Sequence, residues 1–170
     1  APGVNAASDD EDDGFRQTTQ TFSGRYNLTD NLTVGAAVTD RSGDLEIDRS
    51  STDSSGATSF EERGARVFGE WQTGNVLHTF AYSYFDIDRR DPTGFTTRFQ
   101  GDRERLSYLG SAELAGDMTL NFGLDRTEES FNSGGSTGDE RTLSAQAELL
   151  MRPAEHVDLS AALRYDDNTD

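Results

Sequence analysis

Five consecutive acidic residues, Asp9-Asp10-Glu11-Asp12-Asp13, form the densest chemical feature of the chain. Carboxylates grouped on a flexible segment supply the several oxygen ligands that calcium takes, so calcium binding is the chemistry this run offers. A solvated acidic loop is the plainer alternative. Other reactive types are sparse. His78 and His156 are the only histidines, and neither has Ser or Asp at a spacing that makes a nucleophile and its base. Asp166 and Asp167 are neighbours, but neighbours on a strand point to opposite faces, so they do not make a paired-carboxylate site. Gly134-Gly135 lies in a polar stretch with no helix pattern after it, which argues against a phosphate-binding loop. No enzyme chemistry is expected.

Composition narrows the classes further. The chain has 170 residues and a net charge of −17, with 32% hydrophobic residues and no Cys. All 15 of its basic residues are Arg. Disulfides and thiolate metal sites are excluded, and no apolar run approaches the ~20 residues of a membrane helix. A pI near 4.3 argues against nucleic acid as a partner. High net charge with low hydrophobicity is also the signature of disorder, and only patterning overturns it.

That patterning has period two. Phe22, Gly24, Tyr26 and Leu28 share one parity, with Thr21, Ser23, Arg25 and Asn27 on the other. After Thr29-Asp30-Asn31 the alternation resumes as Leu32, Val34, Ala36 and Val38. Such alternation gives a strand one apolar and one polar face. The unit returns three times, so the expected hairpins span 18–39, 64–85, 104–125 and 141–166. Each strand has about the 9–11 residues of a tilted membrane strand. Phe68, Phe85 and Leu150 fit poorly, being apolar on the polar parity.

The connections are asymmetric. Turns within hairpins are tight and carry Gly, Asn or Asp, whereas long polar loops are expected at 40–63, 86–103 and 125–141. Short turns at one end and long loops at the other is the pattern of an outer-membrane barrel. Arg25, Arg66, Glu70, Glu113, Glu148 and Arg164 all lie on the parity opposite the apolar stripe, as a lumen-facing set would. Tyr26, Trp71, Tyr82, Tyr84, Tyr108 and Tyr165 are candidates for interfacial aromatic belts. A soluble antiparallel sheet packed on a core is the competing fold. Both chain ends fall on the long-loop side, which points to a slice of a larger barrel.

Several segments resemble TonB-dependent outer-membrane receptors, most closely the vitamin B12 (cobalamin) transporter family. The stretch Ala162-Leu163-Arg164-Tyr165-Asp166-Asp167-Asn168-Thr169-Asp170 is similar to that family's strand-to-loop sequence. Gly3-Val4 and Glu11-Asp12-Asp13-Gly14-Phe15 resemble two of its acidic loop segments, and Tyr26-Asn27-Leu28-Thr29-Asp30 and Phe80-Ala81-Tyr82-Ser83-Tyr84 one of its turns and strands. The resemblance covers a middle part of the family's barrel; the plug domain, TonB box and C-terminal strands fall outside it. It implies active uptake of a large cargo, energised through the TonB complex. It also implies calcium in extracellular loops, with Glu11 and Asp13 on the family's acidic pair and Asp44, Glu46 and Asp48 in the next loop.

The expectation is therefore an all-β, antiparallel, up-and-down transmembrane β-barrel segment of about eight strands in four hairpins, within a larger barrel of roughly 22 strands. Residues 1–17 form an acidic extracellular loop ahead of it. The implied partners are outer-membrane lipid, the TonB complex through regions outside this chain, and cobalamin or another metal chelate as cargo. The alternatives are a siderophore or heme receptor of the same class, and a structural or porin-like barrel such as a small self-contained barrel or the sheath of an electron conduit.

Overall fold

The computed structural model describes residues 14–47, 56–92, 94, 96–115 and 117–169. They form one antiparallel sheet of eight strands in the order of the sequence: β1 (Phe15–Thr29), β2 (Leu32–Ile47), β3 (Gly56–Thr73), β4 (Val76–Arg90), β5 (Arg98–Leu114), β6 (Met118–Ser133), β7 (Ser136–Ala154) and β8 (Val157–Thr169). Each strand pairs with its sequence neighbours, and β1 and β8 are the two open edges.

The register joins the apolar parity of every strand into one continuous face. One ladder row runs Tyr26, Val34, Gly69, Phe80, Tyr108, Leu124, Ala145, Tyr165. A row on the opposite face runs Arg25, Gly35, Phe68, Ala81, Ser107, Asp125, Ser144, Asp166. Among the described residues no second layer covers either face. Among the described residues Ala81 and Ala112 are the only buried apolar ones, and no large side chain is fully buried. Phe22, Leu106 and Leu163 are 69%, 61% and 76% exposed, on a face that water would oppose. A soluble sheet needs a core on its apolar face. Among the described residues this sheet has none, and its exposed apolar face suits contact with lipid.

The turns are staggered in the way a barrel requires. The ladder from Leu32 passes through Trp71, His78, Gly110, Phe122, Ala147 and Leu163. Leu32 is the first residue after its turn, whereas Ala147 lies seven residues before Ala154, the last residue of β7. The line of turns therefore slips by about one residue per strand. With a ~3.3 Å rise and ~4.8 Å spacing, this tilts the strands by roughly 35–40°, the tilt of membrane barrels.

The strands are longer than their period-two segments, running from 13 to 19 residues. Much of the stretches expected as loops is paired strand. The β2–β3 connection shrinks to 48–55 and the β4–β5 connection to 91–97, while Gly134-Gly135 alone joins β6 to β7. Both glycines have positive φ, 58° and 94°, as a two-residue type I′ hairpin demands. Gly134-Gly135 is thus a tight turn rather than part of a long loop. In these stretches charge sits on both parities, which erases the alternation a sequence reading relies on. Cross-strand ion pairs and water satisfy such strands once they rise clear of lipid. On β4 the apolar face holds for nine residues, Val76 to Tyr84, about one membrane crossing. It then gives way to Asp86, Asp88 and Arg90. The next ladder row outside the apolar band reads Asp40, Arg63, Asp86, Asp102, Ser130, Asp139.

Candidate functional site

The face opposite the apolar band carries a polar network spread over seven strands. Arg25 of β1 pairs with Glu70 of β3, Arg41 with Glu62, and Arg103 with Glu129. Arg105 reaches Asp125 at 3.1 Å. Near the β8 edge, the Arg164 Nε donates to Asp166 at 2.9 Å, and its Nη groups donate to the Ser144 hydroxyl at 2.9 Å and the Gln146 carbonyl at 3.2 Å. Ser111 donates to Asn121 at 2.8 Å, and Asn121 donates to Glu148 at 3.1 Å. Exposed pairs of this kind contribute little stability each. Their significance is placement: an Arg toward the lipid midplane costs about 2–4 kcal/mol, and toward a wet interior almost nothing. This face is the inner one, as the parity of Arg25, Arg66, Glu70, Glu113, Glu148 and Arg164 anticipated.

At the loop end the inner face changes character. One row runs Arg41, Glu62, Ile87, Gly101, Phe131, and the next runs Gly43, Phe60, Arg89, Phe99, Ser133. A groove of about 610 Å³ lies beside these rows, with Phe85, Ile87, Phe99 and Phe131 in its walls and Arg103 there with Glu129 and Glu140. The Arg41 guanidinium lies 5.4 Å from the centre of the Phe60 ring. Arg89 is exposed and makes no ion pair among the described residues. This aromatic patch, in which Arg41, Arg89 and Arg103 are matched by Glu62, Glu129 and Glu140, is not legible in the sequence because Phe60, Ile87, Phe99 and Phe131 fall in stretches expected as loops. Phe85, out of place on the polar parity, was its one visible signal.

The residues singled out for calcium are only partly within view. Glu11, Asp13 and Asp48 lie outside the described residues. Asp44 and Glu46 do not sit in a loop: they are at the loop end of β2, on the same face, with Arg16 beside Asp44 in the ladder. The Glu46 amide donates to the Gly14 carbonyl at 2.9 Å. Among the described residues no group of three or more His, Cys, Asp or Glu is placed to hold a metal ion. Beyond the apolar band, Asp88 accepts from the Arg98 Nε at 3.0 Å and Nη2 at 2.5 Å, and from Arg90 at 3.2 Å. These guanidinium bonds, Arg98 first, outweigh burial and hold the Asp88 carboxyl down at about 2. The clamp closes the base of the β4–β5 loop, where the Asp91 amide also donates to the Thr97 carbonyl at 3.0 Å.

The histidines have structural surroundings. His78 points to the lipid side two rows from the β3–β4 turn, with one ring nitrogen 2.7 Å from the Thr73 hydroxyl and the other 2.9 Å from the Tyr108 hydroxyl. His156 is in the β7–β8 turn. Asp166 faces inward to Arg164, while Asp167 pairs with Leu143 on the outer face.

No protein-family model matches the chain, and no curated protein sequence matches it. Solved structures do. The siderophore receptor PirA from Pseudomonas aeruginosa aligns over 92% of this chain with a TM-score of 0.79 at 14% identity. The FrpB iron transporter from Neisseria meningitidis aligns over 87% with a TM-score of 0.67 at 15% identity. OmpT, an outer membrane protein of Vibrio cholerae, aligns over 89% with a TM-score of 0.63 at 16% identity. The chain spans 28% of the length of PirA and of FrpB and 46% of OmpT. At these identities the likeness is one of architecture, and it agrees with the tilt, the apolar band and the polar inner face: the chain has the up-and-down antiparallel fold of an outer-membrane β-barrel wall.

Proposed function

We propose that this sheet is part of the wall of an outer-membrane, TonB-dependent transporter that takes up a large metal chelate. The observation that carries the reading is the pairing of a nine-residue apolar band with strands that rise well beyond it, lined on the inner face by charge and aromatic rings. Strands that continue past the membrane build a deep vestibule, which suits capture of a bulky cargo. The open edges β1 and β8 support a larger barrel, because unpaired strand edges are not tolerated in hydrocarbon. Further strands on both sides would close it.

The cargo has two supports that differ. The residue resemblance favours cobalamin, whereas a siderophore receptor and an iron transporter are among the proteins that share the fold. A deletion strain separates them. Loss of growth on a ferric chelate as sole iron source identifies an iron receptor, and loss of cobalamin-dependent growth identifies a corrinoid receptor. Both defects should be copied by deleting TonB. The reading fails if uptake of every chelate is unchanged. TonB-independent leakage of small solutes would instead support the porin-like barrel.

Calcium enters this proposal only if Glu11, Asp13 and Asp48 join Asp44 and Glu46. The described pair alone, with Arg16 beside it, is a poor calcium site. Calorimetry on the full-length protein tests it, and absence of binding at millimolar calcium removes calcium from the account.

A further inference from the structure

We propose that a groove on the outer face of β1–β5 seats one acyl chain of lipid A, the lipid of the surface leaflet of an outer membrane. This site is separate from the inner face and does not depend on the cargo. The groove, of about 850 Å³, crosses the apolar band. Gly24, Ala36 and Gly69 lie along its floor, the ring of Tyr26 stands on one side, those of Phe80 and Tyr82 on the other, and Leu106 is at its far end. Nothing lies within 4 Å of the Cβ position of Gly24 or of Gly69, so the floor is open. A further strand at the β1 edge would pair in the plane of the sheet and leave this face uncovered.

The groove is continuous with the apolar band suited to lipid, and it has a direction. One ladder row passes through it as Gly24, Ala36, Val67, Tyr82 and Leu106. Gly24 lies inside its apolar segment, between Phe22 and Tyr26, whereas Leu106 is the last outward apolar residue before Glu104. Four strand spacings of ~4.8 Å make about 19 Å, and with strands tilted by roughly 35–40° the row climbs about 11–12 Å, most of one leaflet's ~15 Å of hydrocarbon. The groove thus reaches the loop-side edge of the band, while Leu28, Leu32 and Trp71, toward the turns, do not line it. A chain seated there is contacted from the floor and from both sides. Where hydrocarbon surrounds everything, such packing is what selects a partner. At the mouth, Leu106 is bordered by Glu104 and Arg126, of opposite sign, and Arg126 is already paired with Glu128. The chain, rather than headgroup charge, therefore carries the selectivity.

The test is native mass spectrometry of the delipidated full-length protein in detergent, titrated with lipid A or with phosphatidylethanolamine. Wild type should retain one lipid A several-fold more tightly than phosphatidylethanolamine, and added salt should change this little. Gly69→Leu fills the floor and should weaken lipid A retention several-fold. Ala36→Leu, on the neighbouring strand, should do the same and serves if Gly69→Leu does not fold. Ala145→Leu adds the same side chain to the apolar band outside the groove and should leave retention unchanged. Heat-modifiable migration of each variant shows that the barrel is folded. Equal retention by wild type and the folded groove variants would overturn the assignment, as would equal loss in Ala145→Leu. Equal or tighter retention of phosphatidylethanolamine would overturn the choice of lipid A. A wild-type oligomer that dissociates in the groove variants would give the groove to a second copy of the chain instead. None of these outcomes bears on chelate uptake, so the transport reading stands or falls separately.

Discussion

The ring of Phe68 on β3 occupies the space that a Cβ on Gly35 of β2 would need. The arrangement recurs. Phe60 stands 2.7 Å from the Cβ position of Gly43, and Phe131 2.5 Å from that of Gly138, each directly opposite in the ladder. Inward phenylalanines therefore lie across facing glycines, which covers bare backbone and fixes the register. Gly35→Val should force the Phe68 ring off its site and destabilise the barrel by about 1–3 kcal/mol. Gly24 on the outer face has nothing within 4 Å of its Cβ position, so Gly24→Ala should be close to neutral. Midpoints of heat-modifiable migration for the two variants check the difference.

Adjacent residues on β7 test which face meets lipid. Ala147 pairs with Phe122 and Leu163 in the apolar band, while Glu148 accepts from Asn121 on the inner face. Ala147→Arg should impair membrane assembly by about 2–4 kcal/mol, and Glu148→Arg by far less. Equal loss of the folded band in gels of outer-membrane fractions would contradict the face assignment.

The membrane-level half of this architecture was legible because lipid imposes strict alternation there. Leu32, Val34, Ala36 and Val38 announce their strand, and Thr29-Asp30-Asn31 announces its turn. Above the membrane both faces meet water, so alternation carries no advantage and disappears. Strands such as 40–47 and 125–133 are then held by pairing that no local pattern reports. Arg103 finds Glu129 twenty-six residues away, which is a matter of register rather than of sequence neighbourhood. The loop-end aromatic patch was hidden for the same reason. Asp44 and Glu46 could be found as acidic residues, but their place on a paired strand beside Arg16 required the ladder.

The Asp88 clamp gives a pH signature. Its carboxyl titrates near 2 in the folded protein, below the ordinary 3.8. A depressed carboxyl contributes stability above its unfolded value, and that contribution is lost as pH falls from about 4 through about 2. Carboxyl carbon NMR of the labelled protein in micelles should show the Asp88 midpoint near 2. Arg98→Gln should move it upward toward the ordinary value, because Arg98 makes the strongest of its bonds. An unmoved midpoint would mean that Arg98 does not hold the carboxylate.

On the lipid side, His78 is a polar ring two rows from the β3–β4 turn. Its two nitrogens are met by Thr73 and Tyr108, and its ring lies between Trp71 and Tyr108, with centroids 5.9 Å and 6.0 Å away. Removing one partner leaves a polar atom unmatched, whereas removing both members of a pair can be nearly neutral. Tyr108→Phe alone should therefore destabilise by about 1–3 kcal/mol, since one ring nitrogen then loses its partner. The double variant His78→Phe with Tyr108→Phe should recover most of that loss, because neither side retains an unpaired group and the aromatic stack survives. Urea titrations of refolding into lipid vesicles measure the cycle. Losses that simply add, with no recovery in the double variant, would show that the two residues do not act as a pair and that the His78 ring is satisfied some other way.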